Sequence, residues 1–250
     1  MTTPLRPAPE VSREPDTRET RRAFLAERLA AVRSRIAHAA QAAGRDHTGI
    51  TLITVTKTWP AEDVRLLAGL GVRDVGENQD QQASGKAAAC ADLSPALSWH
   101  FIGQLQTNKA PSVARYADMV HSVDRTSLVA ALGKAARRTD RELRCLIQVS
   151  LDGAPGRGGA HPDTVPRLAA LIADEPLLTV AGVMAVAPPQ EPAERAFARL
   201  HRVREQLLGD HPGAGVMSAG MSGDLEAAIA AGATHIRVGS AILGRRTPAR

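Results

Sequence analysis

The sequence has little cysteine and no long apolar run. Its two cysteines, Cys90 and Cys145, are too few and too far apart for a disulfide scaffold or a zinc site, so we expect no metal and a reducing compartment. The longest stretch without charge, 176–190, contains three prolines and is shorter than the roughly 20 residues that span a membrane. The N-terminal residues lack the apolar segment of an export signal. The sequence therefore predicts a cytoplasmic protein with no membrane partner.

Aromatic residues are also scarce, with two tryptophans, one tyrosine and three phenylalanines in the chain. So few rings provide no platform on which nucleic-acid bases would stack. The 31 basic residues outnumber the 26 acidic residues and give a formal net charge of +5, but most of them are dispersed along the chain. We therefore expect a solvated surface and no nucleic-acid partner.

What is present is the composition of a globular protein, with 44% hydrophobic and 23% charged residues in a chain of 250. Residues 1–19 are rich in proline and poor in apolar side chains, which predicts a disordered tail, and residues 20–250 are predicted to form one domain. The domain begins with a helix from about Thr20 to Gly44. The apolar stripe of this helix has helical spacing and consists of Leu25, Leu29, Val32 and Ile36.

Beyond this helix, short apolar runs rich in β-branched residues alternate with longer helical patterns. The runs are 50–56, 73–76, 99–103, 119–122, 143–150, 179–186, 216–218 and 235–238, and the helical patterns include 61–70, 128–138, 165–173, 194–208 and 225–231. Eight strand patterns with helix patterns between them and no hairpin turn predict an α/β protein, a single (β/α)8 barrel of the TIM type. A doubly wound open sheet is the alternative, because one sequence does not fix the number of strands.

In such a barrel the active site lies where the strands end, so the polar residues at these ends are candidates for chemistry. Lys57 follows the first run. Burial at the mouth of the barrel would disfavour its ammonium form and make the amine a nucleophile toward a carbonyl, whereas a lysine at the rim would stay solvated. Asn78 and His100 are expected to face the same mouth. A histidine in an apolar strand is more often a core residue with satisfied hydrogen bonds than a catalyst.

The last two strand ends are rich in glycine and serine. Barrels of this type commonly bind phosphate with the loops after strands seven and eight, through backbone N–H groups and hydroxyls. The residues that suit this role are Gly220, Ser222, Gly223, Gly239 and Ser240. Helix capping in glycine-rich turns explains either loop alone, but it explains the two together less well. The pattern favours a phosphate site.

Several segments together resemble one known family. They are Val-Thr-Lys-Thr at 55–58, Gly-Glu-Asn at 76–78, the block 99–109, and the region from Gly-Met-Ser at 220–222 to Arg-Val-Gly at 237–239. On these residues the chain is similar, from about Thr20 to Arg246, to the YggS/PROSC family of pyridoxal phosphate homeostasis proteins. The resemblance implies a single barrel like the N-terminal domain of bacterial alanine racemase.

The resemblance also implies a cofactor, pyridoxal 5′-phosphate (PLP), and a set of residues that bind it. The family lysine that holds PLP as a Schiff base falls on Lys57, and the arginine that faces the pyridine nitrogen falls on Arg237. Asn78 matches an asparagine on the cofactor side. The phosphate contacts fall on Ser222, Gly239 and Ser240, and Ser218 and Met221 line the same cleft. Three positions depart from the usual residues of the family: Thr56, Trp59 and Arg157.

The implied function is intracellular PLP homeostasis, in which the protein carries PLP without turnover as a monomer or weak dimer and has PLP-dependent apoenzymes as possible partners. An arginine only donates hydrogen bonds, so a ring nitrogen beside Arg237 would stay unprotonated and the cofactor would be a weaker electron sink. Racemisation needs two acid/base groups. Lys57 would be one, but the sole tyrosine, Tyr116, falls in a helical stretch before the fourth run. A PLP-dependent racemase and a lysine Schiff-base aldolase are the alternatives.

Overall fold

Eight parallel strands form a closed barrel in the computed structural model, which describes residues 17–154 and 158–244. The strands are β1 Thr51–Val55, β2 Asp74–Glu77, β3 Ser98–Phe101, β4 Met119–Val123, β5 Leu143–Gln148, β6 Leu178–Met184, β7 Val216–Ser218 and β8 His235–Val238. Each strand pairs with the next, and β8 pairs back with β1, with Thr51 opposite His235 and Thr54 opposite Val238. This closure confirms the (β/α)8 barrel and excludes the open doubly wound sheet.

Helices surround the barrel and connect its strands. They are α1 Arg18–Ala42, α2 Ala61–Gly69, α3 Asp80–Ala89, α4 Ala110–Val113, α5 Thr126–Thr139, α6 Val165–Ala173, α7 Ala193–Asp210, α8 Leu225–Ala230 and α9 Ser240–Leu243. Short 3-10 turns lie at His47–Gly49, Ala91–Leu93, Thr107–Lys109 and Pro162–Thr164. None of the helices in the described ranges is both long and apolar enough to cross a membrane.

The first helix begins at Arg18, so the predicted tail of residues 1–19 extends two residues too far. The reason is local capping: the Thr17 hydroxyl accepts a hydrogen bond from the Thr20 backbone N–H at 3.2 Å, and the Thr20 hydroxyl accepts one from the Thr17 N–H at 3.1 Å. Residues 1–16 lie outside the described part of the chain. The predicted apolar stripe of α1 is confirmed, since its four residues are buried together with Ala40.

The larger hydrophobic core lies between the strands and the surrounding helices, where side chains such as Phe101 and Phe197 are fully buried. A smaller apolar cluster occupies the inside of the barrel and consists of Met119, Leu146, Ala181, Met184 and Val216. Cys90 and Cys145 are both buried as free thiols, as expected for packing residues. The remaining interior space is filled by polar side chains from β2, β3, β4, β7 and β8.

Candidate functional site

The end of the first strand places Lys57 at the mouth of the barrel. The Thr56 N–H donates to the Gly76 carbonyl at 3.0 Å, which continues the pairing of β1 with β2 by one residue. Lys57 is the next residue, and its side chain is exposed. Lys57 is therefore the residue at which the chain leaves the barrel, and its exposure corresponds to the solvated rim lysine and not to the buried amine.

A buried ion pair supports the backbone just before this lysine. Lys86 on α3 donates from Nζ to Glu77 Oε1 at 2.6 Å and to the Thr56 carbonyl at 2.7 Å. The Thr56 hydroxyl donates to the same Glu77 oxygen at 2.7 Å. The Lys86 and Glu77 side chains are only 9% and 1% exposed. In this barrel the threonine thus anchors Lys57 through its hydroxyl, a role for which a serine would also be suited.

The loops after the last two strands meet at the same mouth. Gly220 has φ +89°, and a Cβ there would lie 2.6 Å from the Ala228 Cβ, so only glycine allows this loop to pack on α8. Beyond the turn, the Ser222 and Ser240 hydroxyl oxygens are 3.5 Å apart. A Cβ on Gly239 would lie 3.1 Å from the Val55 carbonyl oxygen, which brings the loop after β8 against the end of β1. The serine pair and Lys57 consequently share one face of the barrel.

Arg237 lies inside the barrel, below these loops, and is 5% exposed. It donates from Nη1 to the Ser218 hydroxyl at 2.6 Å and from Nη2 to the Ala185 carbonyl at 3.0 Å. Burial lowers the pKa of Arg237 to about 10, and the Asp224 carboxylate opposes this shift. The guanidinium still carries its proton at neutral pH and is fixed by its contacts with β7 and the end of β6.

Two further predicted residues lie at the mouth without joining this network. Asn78 directly follows β2 and is half-buried. Met221 is 40% exposed and is one of two exposed large hydrophobic residues in the described part of the chain, the other being Val186. Within that part, neither Asn78 nor Met221 makes a side-chain hydrogen bond to another predicted site residue.

The prediction that His100 faces the mouth is wrong. Its ring is 3% exposed in the barrel interior, and Nε2 lies 3.0 Å from Asp74 Oδ1, at the beginning of β2. The other ring nitrogen lies 3.0 Å from His121 Nε2. His100 is therefore a core histidine whose two ring nitrogens both have partners. It does not face the mouth because its partner Asp74 lies at the opposite end of the barrel.

Tyr116 also differs from the expectation, because it lies in a turn after α4 and not in a helix. Its hydroxyl donates to Asp80 at 3.4 Å, and burial, followed by the nearby Asp80 charge, raises its pKa.

Arg157 lies outside the described residues.

Sequence reasoning missed four residues that organise this region: Asp74, Glu77, Lys86 and His121. Glu77 stands in the Gly-Glu-Asn segment, but nothing local indicates a carboxylate paired with a lysine on the next helix. His121 had a readable signal, since it is a polar residue in the middle of an apolar strand, β4. Such a residue must find a hydrogen-bond partner inside the barrel.

The closed barrel and the arrangement of its mouth define a class, the (β/α)8 proteins with a lysine after the first strand and serine-bearing loops after the last two. The family model described as alanine racemase, N-terminal domain, matches residues 27–247. The chain therefore belongs to this family, among proteins named pyridoxal phosphate homeostasis protein, which confirms the resemblance found in the motifs.

The similar proteins match nearly the whole chain. The pyridoxal phosphate homeostasis protein of Pseudomonas aeruginosa is 43% identical over 224 residues, which is 89% of this chain and 96% of that relative. The protein of the same name from Mycobacterium tuberculosis is 42% identical over 256 aligned positions, covering 96% of this chain and 98% of the relative. Among solved structures, PipY of Synechococcus elongatus PCC7942 with PLP bound has a TM-score of 0.75 and 33% identity, covering 88% of this chain and 100% of that chain.

Proposed function

We propose that this protein binds PLP at the barrel mouth, covalently through Lys57, and carries it for intracellular PLP homeostasis without catalytic turnover. The observation that carries the proposal is the meeting of the Ser222 and Ser240 hydroxyls, 3.5 Å apart, on the same face as the exposed Lys57. Two hydroxyls from adjacent loops suit the oxygens of one phosphate group. The names of the relatives and the PLP bound to PipY support the same cofactor.

The residues at the mouth fit this cofactor. When bound, PLP supplies an aldehyde that condenses with a primary amine, releasing water, and a pyridine ring that withdraws electrons most strongly when its nitrogen is protonated. Lys57 offers an exposed amine, whereas the amine of Lys86 is buried and paired with Glu77. Gly239 lets the backbone come close to an anion, and Met221 and Asn78 complete the proposed lining. Ser218 is fully buried and would support the lining from beneath through its hydrogen bond with Arg237.

Arg237 is the reason for proposing carriage over catalysis. Its guanidinium is protonated and can only donate hydrogen bonds, so it holds a facing ring nitrogen in the unprotonated state. That state gives little support to reactions that develop negative charge on the substrate carbon.

Proton transfer at the mouth also favours carriage over catalysis. A racemase needs an acid/base group on each side of its substrate. The hydroxyl of the only tyrosine, Tyr116, is engaged with Asp80, and burial raises its pKa, which disfavours loss of its proton. We therefore infer a carrier that would hand PLP to PLP-dependent apoenzymes in the cytoplasm, as a monomer or weak dimer.

The test is the visible absorption spectrum of the purified protein mixed with PLP, before and after borohydride reduction. We expect a yellow protein, and we expect peptide mass spectrometry to find the reduced cofactor on Lys57. Lys57→Ala should abolish the covalent band. Lys109→Ala is the matched control, because Lys109 is exposed in the turn after β3 and should leave the band intact.

Four outcomes would contradict the proposal. A colourless wild-type protein in excess PLP would show that the protein does not bind this cofactor. Reduced cofactor found on another lysine would show that Lys57 does not form the covalent bond. Loss of optical rotation of L-alanine with the PLP-loaded protein would favour the racemase. Cleavage of a phosphosugar by protein free of PLP would favour the aldolase.

A further inference from the structure

Five polar side chains form a hydrogen-bonded line through the barrel interior. From the first residue of β2 to β8, they are Asp74, His100, His121, Ser218 and Arg237, and we call this line the polar column. The three contacts that precede Arg237 are each 3.0 Å long, from Asp74 Oδ1 to His100 Nε2, from His100 Nδ1 to His121 Nε2 and from His121 Nδ1 to Ser218 Oγ. The last, from Arg237 Nη1 to Ser218 Oγ, is 2.6 Å. The column connects the two ends of the barrel.

The column is buried except at its Asp74 end. His121 and Ser218 are 0% exposed, whereas the Asp74 side chain is 25% exposed. Asp74 also lines a cavity of about 540 Å³ at the N-terminal face, together with Arg33, His47 and Arg73. Solvent therefore reaches the column from the face opposite the proposed cofactor site.

The two ends of the column impose one direction on all its hydrogen bonds. A carboxylate only accepts and a guanidinium only donates. His100 therefore donates from Nε2 to Asp74 and accepts at Nδ1 from the His121 Nε2–H. His121 Nδ1 then accepts the Ser218 hydroxyl hydrogen, and Ser218 Oγ accepts from Arg237. With both histidines neutral, every donor in the line has an acceptor.

The charge state of His121 agrees with this assignment. Burial lowers the pKa of His121 well below its usual value, so the ring holds a single proton at neutral pH. The basic groups around this ring lower the same pKa further. They are His100 on β3, Arg144 on β5, and His235 and Arg237 on β8. Asp74 on β2 is the one carboxylate bonded to either ring in the described part of the chain.

We propose that Asp74, His100 and His121 are positioning residues that orient the Arg237 guanidinium from the opposite end of the barrel. A fully satisfied buried network is rigid, because moving one member breaks the bonds of its neighbours. Ser218 has a hydroxyl hydrogen engaged by His121 and a lone pair engaged by Arg237, so its rotation is fixed. The column itself is a property of the chain alone, and its effect on PLP rests on the proposed function.

The direction of the column is tested on the full chain without cofactor. Two-bond ¹⁵N–¹H correlation spectra of uniformly ¹⁵N-labelled wild-type protein at pH 8 report which ring nitrogen of each histidine carries the proton. We expect His100 and His121 both to carry it on Nε2. A proton on Nδ1 of either ring would overturn the assignment.

The positioning role is tested by Asp74→Asn, which keeps the size of the side chain but removes the group that can only accept. We expect mixed tautomers at His100 and His121, a shift in the absorption maximum of bound PLP and about three- to tenfold weaker PLP binding. Asp92→Asn is the matched control, because Asp92 undergoes the same change of side chain but is exposed and pairs with Arg65, not with the column. It should leave all three readouts close to wild type.

Unchanged PLP spectrum and affinity in Asp74→Asn, with altered tautomers, would overturn the positioning role. Equal effects of Asp74→Asn and Asp92→Asn would overturn it as well. Failure of the wild-type protein to bind PLP would instead defeat the proposed function, and the tautomers of the free chain would still decide whether the column runs in the inferred direction.

Discussion

At the scale of single residues, the site depends on buried charges that are paired with each other. Lys86 and Glu77 bind the backbone and hydroxyl of Thr56, directly before Lys57. The other oxygen of Glu77, Oε2, is buried and has no hydrogen-bond partner among the described residues. A buried carboxylate that relies on one lysine makes that lysine difficult to replace.

We predict that Lys86→Met lowers the free energy of unfolding by about 3 kcal/mol or more, because it leaves the Glu77 charge buried without its partner. The double variant Glu77→Gln with Lys86→Met should recover part of this loss, since it removes the charge as well. Urea unfolding measures both values. Lys134→Met, at an exposed position on α5, is the control and should change stability by less than about 0.5 kcal/mol. A double variant no more stable than the single one would contradict the explanation.

At the scale of elements, α1 is attached to the barrel by side chains that reach neighbouring helices. Arg21 forms two hydrogen bonds to Asp63 on α2, of 3.0 and 2.8 Å, and a third, of 3.2 Å, to the Leu243 carbonyl on α9. Its guanidinium also lies 4.4 Å from the centroid of the Trp59 ring. Trp59 thus packs against the first helix.

We predict that Arg21→Ala destabilises the protein by about 3 kcal/mol, because the Asp63 carboxylate is then buried and unpaired. Arg18→Ala, one turn earlier on the same helix, removes an ion pair to Glu62 whose side chains are 75% and 49% exposed. Its cost should stay below about 1 kcal/mol, as is usual for solvated pairs. Thermal or urea unfolding compares the two, and equal losses would show that burial does not control the strength of these pairs.

The loop between β7 and α8 gives a second prediction at this scale. Gly220→Ala places a Cβ 2.6 Å from that of Ala228 at a residue with φ +89°, so we expect a loss of roughly 2 kcal/mol or more. Gly223→Ala in the same loop meets no atom within 4 Å and should be nearly neutral for stability. Urea midpoints of the two variants check this contrast. Similar midpoints would mean that the loop can move away from α8.

At the scale of the whole molecule, the barrel interior combines an apolar cluster with histidines that stay neutral. Burial lowers the pKa of His121 well below the ordinary value and that of His235 to about 4. Both histidines have a pKa near 6.5 in an unfolded chain. At pH values below about 6.5 and above the lowered pKa of each folded histidine, the unfolded state therefore binds more protons than the folded state.

The consequence is acid sensitivity. The contribution of the two histidines is complete above pH 6.5 and declines as the pH falls below it, by about 2 kcal/mol from His235 between pH 7 and pH 5 and by a further amount in the same direction from His121. Urea unfolding at pH 7 and pH 5 measures the loss, and His235→Gln should remove the part that comes from His235. A stability that is unchanged or rises on acidification would contradict the assignment of neutral buried histidines.

The sequence by itself predicted the first helix, the eight strands and several residues at the mouth of the barrel. Helical spacing in α1 and the alternation of apolar runs with helical patterns identified all eight strands, because periodicity records which face of an element is buried. Strand ends pointed to Lys57 and to the serines of the last two loops, since side chains at the ends of parallel strands share one face. These inferences need only local information.

The tertiary structure alone decided which of these residues meet. Closure required the pairing of β1 with β8, which are about 180 residues apart in the chain, and a local pattern carries no register between distant strands. His100 looked like a residue of the mouth, but its partner Asp74 turned out to lie at the other end of the barrel. The ion pair of Glu77 with Lys86 and the contact of His121 with Ser218 also depend on how the strands and helices are placed, because a hydrogen bond requires a position and a direction that spacing along a chain does not specify.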